Sequence, residues 1–153
     1  MKTFLAFATI SLVLWPQLLL AQAAEMIELT REVVQTERKM IVSANMAFSD
    51  EESQQFWPVY NNYQSDIREV NDRRVELVRS YLEDYDTLND EQAEKMIREF
   101  LAIEVDRLSL KRSYIRKFKK TLSQKKVLRF YQIDNKLDTI IDFDLARGIP
   151  LAR

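Results

Sequence analysis

The sequence predicts an all-α fold, on three observations. Among 153 residues there is one Gly and there are three Pro, too few for the tight turns of a many-stranded sheet. Apolar residues recur at spacings of three and four along most of the chain, the period of a helix buried on one face. Ser or Asn, followed three residues later by a polar residue, recurs at the points where one periodic run gives way to the next.

The first element is an export signal. Residues 1–24 carry Lys2, an apolar run from Phe4 to Leu20 broken at Pro16, and the small-x-small end Ala21-Gln22-Ala23. Cleavage is expected after Ala23, because signal peptidase admits only small side chains at the positions that precede the cut. The division is therefore a signal peptide over 1–23 and a single helical domain over 24–153. Removal of the signal takes away Lys2 alone and leaves 22 basic against 24 acidic groups. An exported chain without Cys fits the periplasm, which argues against nucleic acid or nucleoside triphosphates as partners.

Four helical segments follow. Residues 26–46 carry Met26, Ile27, Leu29, Val33, Val34, Met40, Ile41 and Ala44. In segment 50–86, Phe56, Tyr60, Tyr63, Ile67, Val70, Arg74, Leu77 and Tyr81 step by four and three, as in a helix packed along one seam. Pro58 is expected to kink it. Segment 90–121 has one stripe of Ile97, Leu101, Leu108, Ile115, Phe118 and Leu122, and a second of Met96, Phe100, Ile103, Leu110 and Tyr114. Segment 124–147 carries Val127, Phe130, Tyr131, Leu137, Ile141 and Leu145, and stops at Gly148 and Pro150. Helices of roughly 35 residues reach about 50 Å. The expectation is an elongated, bent four-helix protomer with a long hairpin of its second and third helices, paired into an antiparallel dimer that buries the second stripe.

The corners are alike. Phe48-Ser49-Asp50-Glu51-Glu52, Leu88-Asn89-Asp90-Glu91-Gln92 and Leu122-Ser123-Gln124-Lys125-Lys126 each place a capping side chain before the first turn. Glu52 and Gln92 complete a capping box, Lys126 does not, and the apolar residue in front clamps the entry.

This corner pattern resembles the LTxxQ motif of the Spy/CpxP-like periplasmic stress proteins, most closely at Leu88-Asn89-Asp90-Glu91-Gln92. The first corner departs at Phe48 and Glu52, and all three have Ser or Asn where the motif has Thr. Phe56-Trp57-Pro58-Val59-Tyr60 and the run from Lys125 to Leu151 look like a bacterial group of secreted helical proteins without a settled activity. The resemblance implies a bent four-helix protomer, often paired as a cradle, that holds unfolded envelope proteins without ATP or restrains a sensor kinase. The His ligands of metal-sensing relatives have no counterpart here.

Composition excludes much chemistry. Without His and Cys the commonest general base, metal ligand and thiol nucleophile are all missing, so no enzyme activity, metal or cofactor is expected. Ser123 and Lys126 match a Ser-x-x-Lys spacing but lack the companion elements of that chemistry, and Ser123 reads as a cap. Asp134, Asp138 and Asp142 share one helix face but give too few oxygens for Ca²⁺, and read as a solvated acidic stripe. Arg74, Glu104, Arg107 and Lys111 fall within apolar arcs. They are expected either to form a charged layer between helices, with Arg74 facing Glu104 and Lys111 facing Asp66, or to line a wet groove.

The strongest functional signal is charge. From Arg107 to Ile133 there are ten basic residues and no acid, and Arg112, Arg116, Lys119 and Lys120 group opposite the apolar arc. The expected activity is binding: an ATP-independent chaperone or stress-linked regulator, with unfolded envelope proteins drawn to this block and held on an apolar residue such as Trp57. The alternative is an adaptor docking on one envelope partner or an anionic membrane surface. An ordinary solvated face balanced by Glu83, Asp84, Asp86, Asp90 and Glu91 is the third reading of the block.

Overall fold

The computed structural model describes residues 36–152, and every regular element among them is an α-helix. Helix α1 covers residues 36–46, α2 Asp50–Glu83, α3 Asp90–Phe118 and α4 Gln124–Gly148. Residues 1–23, expected to be a signal peptide, and the apolar residues 26–34 lie outside the described residues.

Caps set the corners. The Ser49 hydroxyl accepts from the Glu52 N–H at 3.2 Å while the Glu52 carboxylate accepts from the Ser49 N–H at 2.8 Å. Asn89 and Gln92 exchange the same two bonds at 3.0 Å each. Ser123 accepts from the Lys126 N–H at 3.4 Å, with no return bond. Lys126 serves the corner another way: its ammonium bonds the Ala47 carbonyl at 2.9 Å and pairs with Glu52, tying the start of α4 to the start of α2. The turn out of α1 runs through Ala47 at φ 48°, a left-handed conformation that glycine would accept without cost.

The C-terminal stop differs from the expected one. Gly148 is the last helical residue and has no positive φ. Ile149 is extended, as the residue before a proline prefers, so Pro150 ends α4. The tail is then pinned to α2 and the turn after it, with the Tyr81 hydroxyl donating to the Pro150 carbonyl at 2.8 Å and Tyr85 to that of Leu151 at 3.0 Å.

Cross-helix contacts define directions. Tyr114 with Asp66 and Arg73 with Asp106 and Glu99 make α3 antiparallel to α2. Tyr63 with Asp134, Arg74 with Asp142 and Tyr81 with Pro150 make α4 parallel to α2. Arg38 with Asp134 and Lys126 with Ala47 make α1 antiparallel to α4. The chain thus runs up, down, up and down, as short capped connections demand. Helix α2 continues unbroken through Pro58.

The protomer has its own apolar core, gathered at the end where α1 meets α2 and α3 meets α4. Val42, Met46, Phe56, Tyr60, Tyr63, Ile67, Tyr114, Phe118, Leu122, Val127 and Phe130 form it. Phe118 and Phe130 stack at 4.6 Å between ring centroids, and Phe56 lies 5.4 Å from each. Each ring fully removed from water contributes roughly 2–3 kcal/mol. The seam of α2 is as the spacing predicts. The α3 stripes are each split: Ile103 and Tyr114 of the second are buried inside the protomer while its Phe100 is exposed, and Phe118 and Leu122 of the first are buried while its Ile97, Leu101 and Leu108 are exposed. In α1 the inward face is Arg38, Val42 and Met46, while Met40 and Ala44 point to solvent.

Candidate functional site

Two charged features stand out, one inside the helices and one outside. The inner one begins on α4, where Asp134, Asp138 and Asp142 stand one turn apart. The expectation of a solvated stripe is wrong, because Asp134 is 1 % and Asp138 8 % exposed. Val127, Tyr131, Asp134, Asp138, Ile141 and Leu145 step by four and three, so the aspartates fill a gap in the apolar stripe and face inward with it.

Cations from the three other helices meet them. Arg38 of α1 donates to Asp134 at 2.6 Å and to Asp138 at 2.5 Å. Lys111 of α3 reaches Asp138 at 2.6 Å and Asp134 at 3.2 Å. Arg107 bonds Asp138 at 2.9 Å and lies 3.5 Å from Asp142, leaving its Nε buried without a partner. Arg74 of α2 closes the layer on Asp142 at 2.5 Å. The Tyr63 hydroxyl donates at 2.8 Å to the Asp134 oxygen that also faces Lys111. The pairs expected from the sequence do not form: Arg74 and Lys111 both turn to α4, and Asp66 accepts from the Tyr114 hydroxyl at 2.6 Å. Arg38 was not singled out in the sequence, although its step of four to Val42 and Met46 places it on the inward face.

The electrostatics follow from burial and pairing. Burial alone raises a carboxyl group, but Arg38, Arg107 and Lys111 outweigh it and hold Asp138 below its ordinary value. Burial likewise opposes the charge of Arg38, and the Asp138 and Asp134 carboxylates more than offset it. Burial, with Asp134 alongside, pushes the Tyr63 phenol far up, so it remains a donor. Four cations thus face three carboxylates. Asp134 and Asp138 are committed to side-chain cations, which makes them structural pairs rather than ion ligands.

The outer feature is the basic block. Arg112, Arg116, Lys119 and Lys120 are all exposed, and none forms a salt bridge with a described residue. Arg116 and Lys117 occupy the last turn of α3, where positive charge complements the free carbonyls of the helix end. Lys117 lies over the Tyr114 ring at 3.8 Å. Lys125 and Arg129, both exposed at the start of α4, extend the block past the corner. The block is not uniform in its role, since Arg107 and Lys111 belong to the buried layer and Lys126 to the corner.

Trp57 sits apart from both features. It is half-buried against Phe48, Phe56 and Tyr60, with ring centroids 5.8, 5.2 and 5.2 Å away. Its indole N–H donates to the Ser53 hydroxyl at 2.9 Å, and Lys39 lies 5.1 Å from the ring centroid. A shallow, open depression of about 530 Å³ lies beside it, lined by Asp50, Ser53, Gln54, Trp57, Pro58 and Asn61. The corner residues Phe48, Leu88 and Leu122 are half-buried, half-buried and buried in turn, as clamps at helix entries would be. Among the described residues no helix is long and apolar enough to cross a membrane.

No protein-family model, curated protein or solved structure matches this chain.

Proposed function

We propose that this protein is a non-catalytic binding protein of the periplasm, an ATP-independent chaperone or envelope-stress regulator that works as a pair of copies. The observation that carries the reading is the exposed set Arg112, Arg116, Lys119 and Lys120, none of which forms a salt bridge with a described residue. Unpaired surface cations raise the local concentration of acidic partners and speed encounter with them, an effect that salt removes. Acidic stretches of unfolded envelope proteins are the partners of matching chemistry. Trp57 supports capture less than the block does, because its N–H is already bonded and three rings cover it.

The test is aggregation of a denatured acidic client, followed by light scattering at low and high salt. Suppression that weakens with salt, and is lost when Arg112, Arg116, Lys119 and Lys120 are changed to Gln, is the expected result. No suppression at any ratio removes the chaperone reading. Salt-sensitive retention on anionic vesicles, without any effect on aggregation, would select membrane docking instead.

A further inference from the structure

Helix α4 turns its core residues and its aspartates inward, and its opposite face mixes apolar with basic side chains. Leu128 is 60 %, Ile140 59 % and Phe143 62 % exposed. Lys125, Arg129, Lys136 and Arg147 stand among them, all exposed, and none forms a salt bridge with a described residue. At 100° per residue the seven fall within one arc, centred opposite Val127, Asp134 and Asp138. The neutral Gln132 and Thr139 lie in the same arc, and Asp144, the exposed acid of the helix, lies at its edge.

Helix α3 widens this face. Arg107 pairs with Asp138 and Asp142, and Lys111 with Asp138, so α3 lies against α4 at this level. Leu101 and Leu108 of α3 are 56 % and 52 % exposed. They stand on the side of α3 opposite Glu99 and Asp106, which Arg73 of α2 holds, and so border α4. Five half-exposed side chains of this size present on the order of 500 Å² of apolar surface, near the largest patch a monomer ordinarily shows.

We infer that the outer face of α4, with the adjoining leucines of α3, lies on an anionic phospholipid bilayer. Its four cations extend about 33 Å along the helix with no acid between them, and match a row of headgroup phosphates. Leu128, Ile140 and Phe143 come one at a time with polar residues between them. A protein partner desolvates anchors gathered into a central pocket. A bilayer instead takes scattered apolar side chains singly into the acyl boundary, while Lys and Arg beside them reach back to the phosphates. Phe143 and Arg147 form such a unit, with the guanidinium 5.6 Å from the ring centroid. Docking leaves the fold intact, because Phe130, Asp134 and Asp138 hold the other face of α4 in the core. The inference goes beyond the chaperone reading and does not rest on it, since its chemistry belongs chiefly to another helix.

The chain has no Cys, so one introduced thiol carries a polarity-sensitive fluorophore at a single place. Gln132→Cys puts it on the proposed face and Ser65→Cys on an exposed position of α2. The full chain is titrated with vesicles of equal parts phosphatidylglycerol and phosphatidylcholine, and with phosphatidylcholine alone. A blue shift at position 132 is expected on the anionic vesicles, reduced by salt, with none at position 65. Lys136→Gln, Arg147→Gln and Phe143→Ser together should weaken that response by about twentyfold or more. Far-UV circular dichroism should not change, because all three side chains are exposed. No shift at position 132, or an equal shift on neutral vesicles, would overturn the inference. A shift given equally by soluble polyglutamate would assign the face to an acidic protein and overturn the lipid contact. A response that survives the triple substitution but is lost when Arg112, Arg116, Lys119 and Lys120 are changed to Gln would move the contact to the block. The triply substituted protein keeps that block, so its aggregation assay separates a failure here from a failure of the chaperone reading.

Discussion

Asp138→Asn removes one charge from the buried layer and keeps the shape of the side chain. In the folded protein the carboxylate is met by Arg38 at 2.5 Å, Lys111 at 2.6 Å and Arg107 at 2.9 Å, with Asp138 only 8 % exposed. The substitution leaves four cations facing two carboxylates, and Arg38, 7 % exposed, with only Asp134. Stranding a buried charge in this way costs about 3 kcal/mol or more. For a domain of this size that lowers Tm by about 10 °C. Thermal unfolding followed by circular dichroism measures it. The loss should persist at 1 M salt, about 3 Å of screening length, because the layer is shielded from mobile ions. Replacing Arg38 as well, as Arg38→Met with Asp138→Leu, should recover only part of the stability, since Arg38 is no longer stranded while Arg107 and Lys111 still lose their nearer carboxylate. A Tm within about 2 °C of the parent for Asp138→Asn would refute the reasoning. The carboxylate would then be as dispensable as one in an exposed pair.

The same layer sets the acid limit. Between its folded and unfolded pKa values Asp138 binds fewer protons in the folded state, so stability rises with pH there and is complete above the unfolded value. Tm should therefore stay level from pH 7 down to about 4 and fall below that, and a fall that begins near pH 6 would require another titrating group. Ser49→Ala removes the hydroxyl that caps the Glu52 N–H, while the Glu52 carboxylate keeps the backbone N–H of residue 49 and Lys126, so it should cost about 1 kcal/mol. Ser123→Ala removes a single longer bond and should cost less, a ranking that urea denaturation can check. Ala47→Gly relieves a left-handed φ and should raise stability by a few tenths to about 1 kcal/mol, whereas a decrease would mean that the Ala47 side chain contributes packing.

Much of the fold is legible locally. The starts of α2, α3 and α4 fall at Asp50, Asp90 and Gln124, directly after the three capping residues, because a cap and its N3 partner lie within one turn of each other. The observed ends at Glu83 and Phe118 come a few residues before the periodicity fades, since Tyr85 and Leu122 keep apolar contacts from turns as well as from helices. The misread positions share a cause. Periodicity groups residues on a face without saying whether that face looks in or out. Composition alone points the aspartates of α4 outward and Leu101 and Leu108 of α3 inward, each against its observed burial.

By itself the sequence determined an all-helical chain, its corners and the apolar seam of α2. Each of these depends on groups within about one turn of one another, where backbone geometry leaves few choices. Only the tertiary structure decided where the charges go. Arg38 and its carboxylates are 96 and 100 residues apart in the chain, and no local pattern links them. The need to pair a buried charge is satisfied by whichever helix packs opposite. That choice made α4 the acidic partner of the other three helices, and it left Arg112, Arg116, Lys119 and Lys120 in solvent with the positive charge that the proposed function uses.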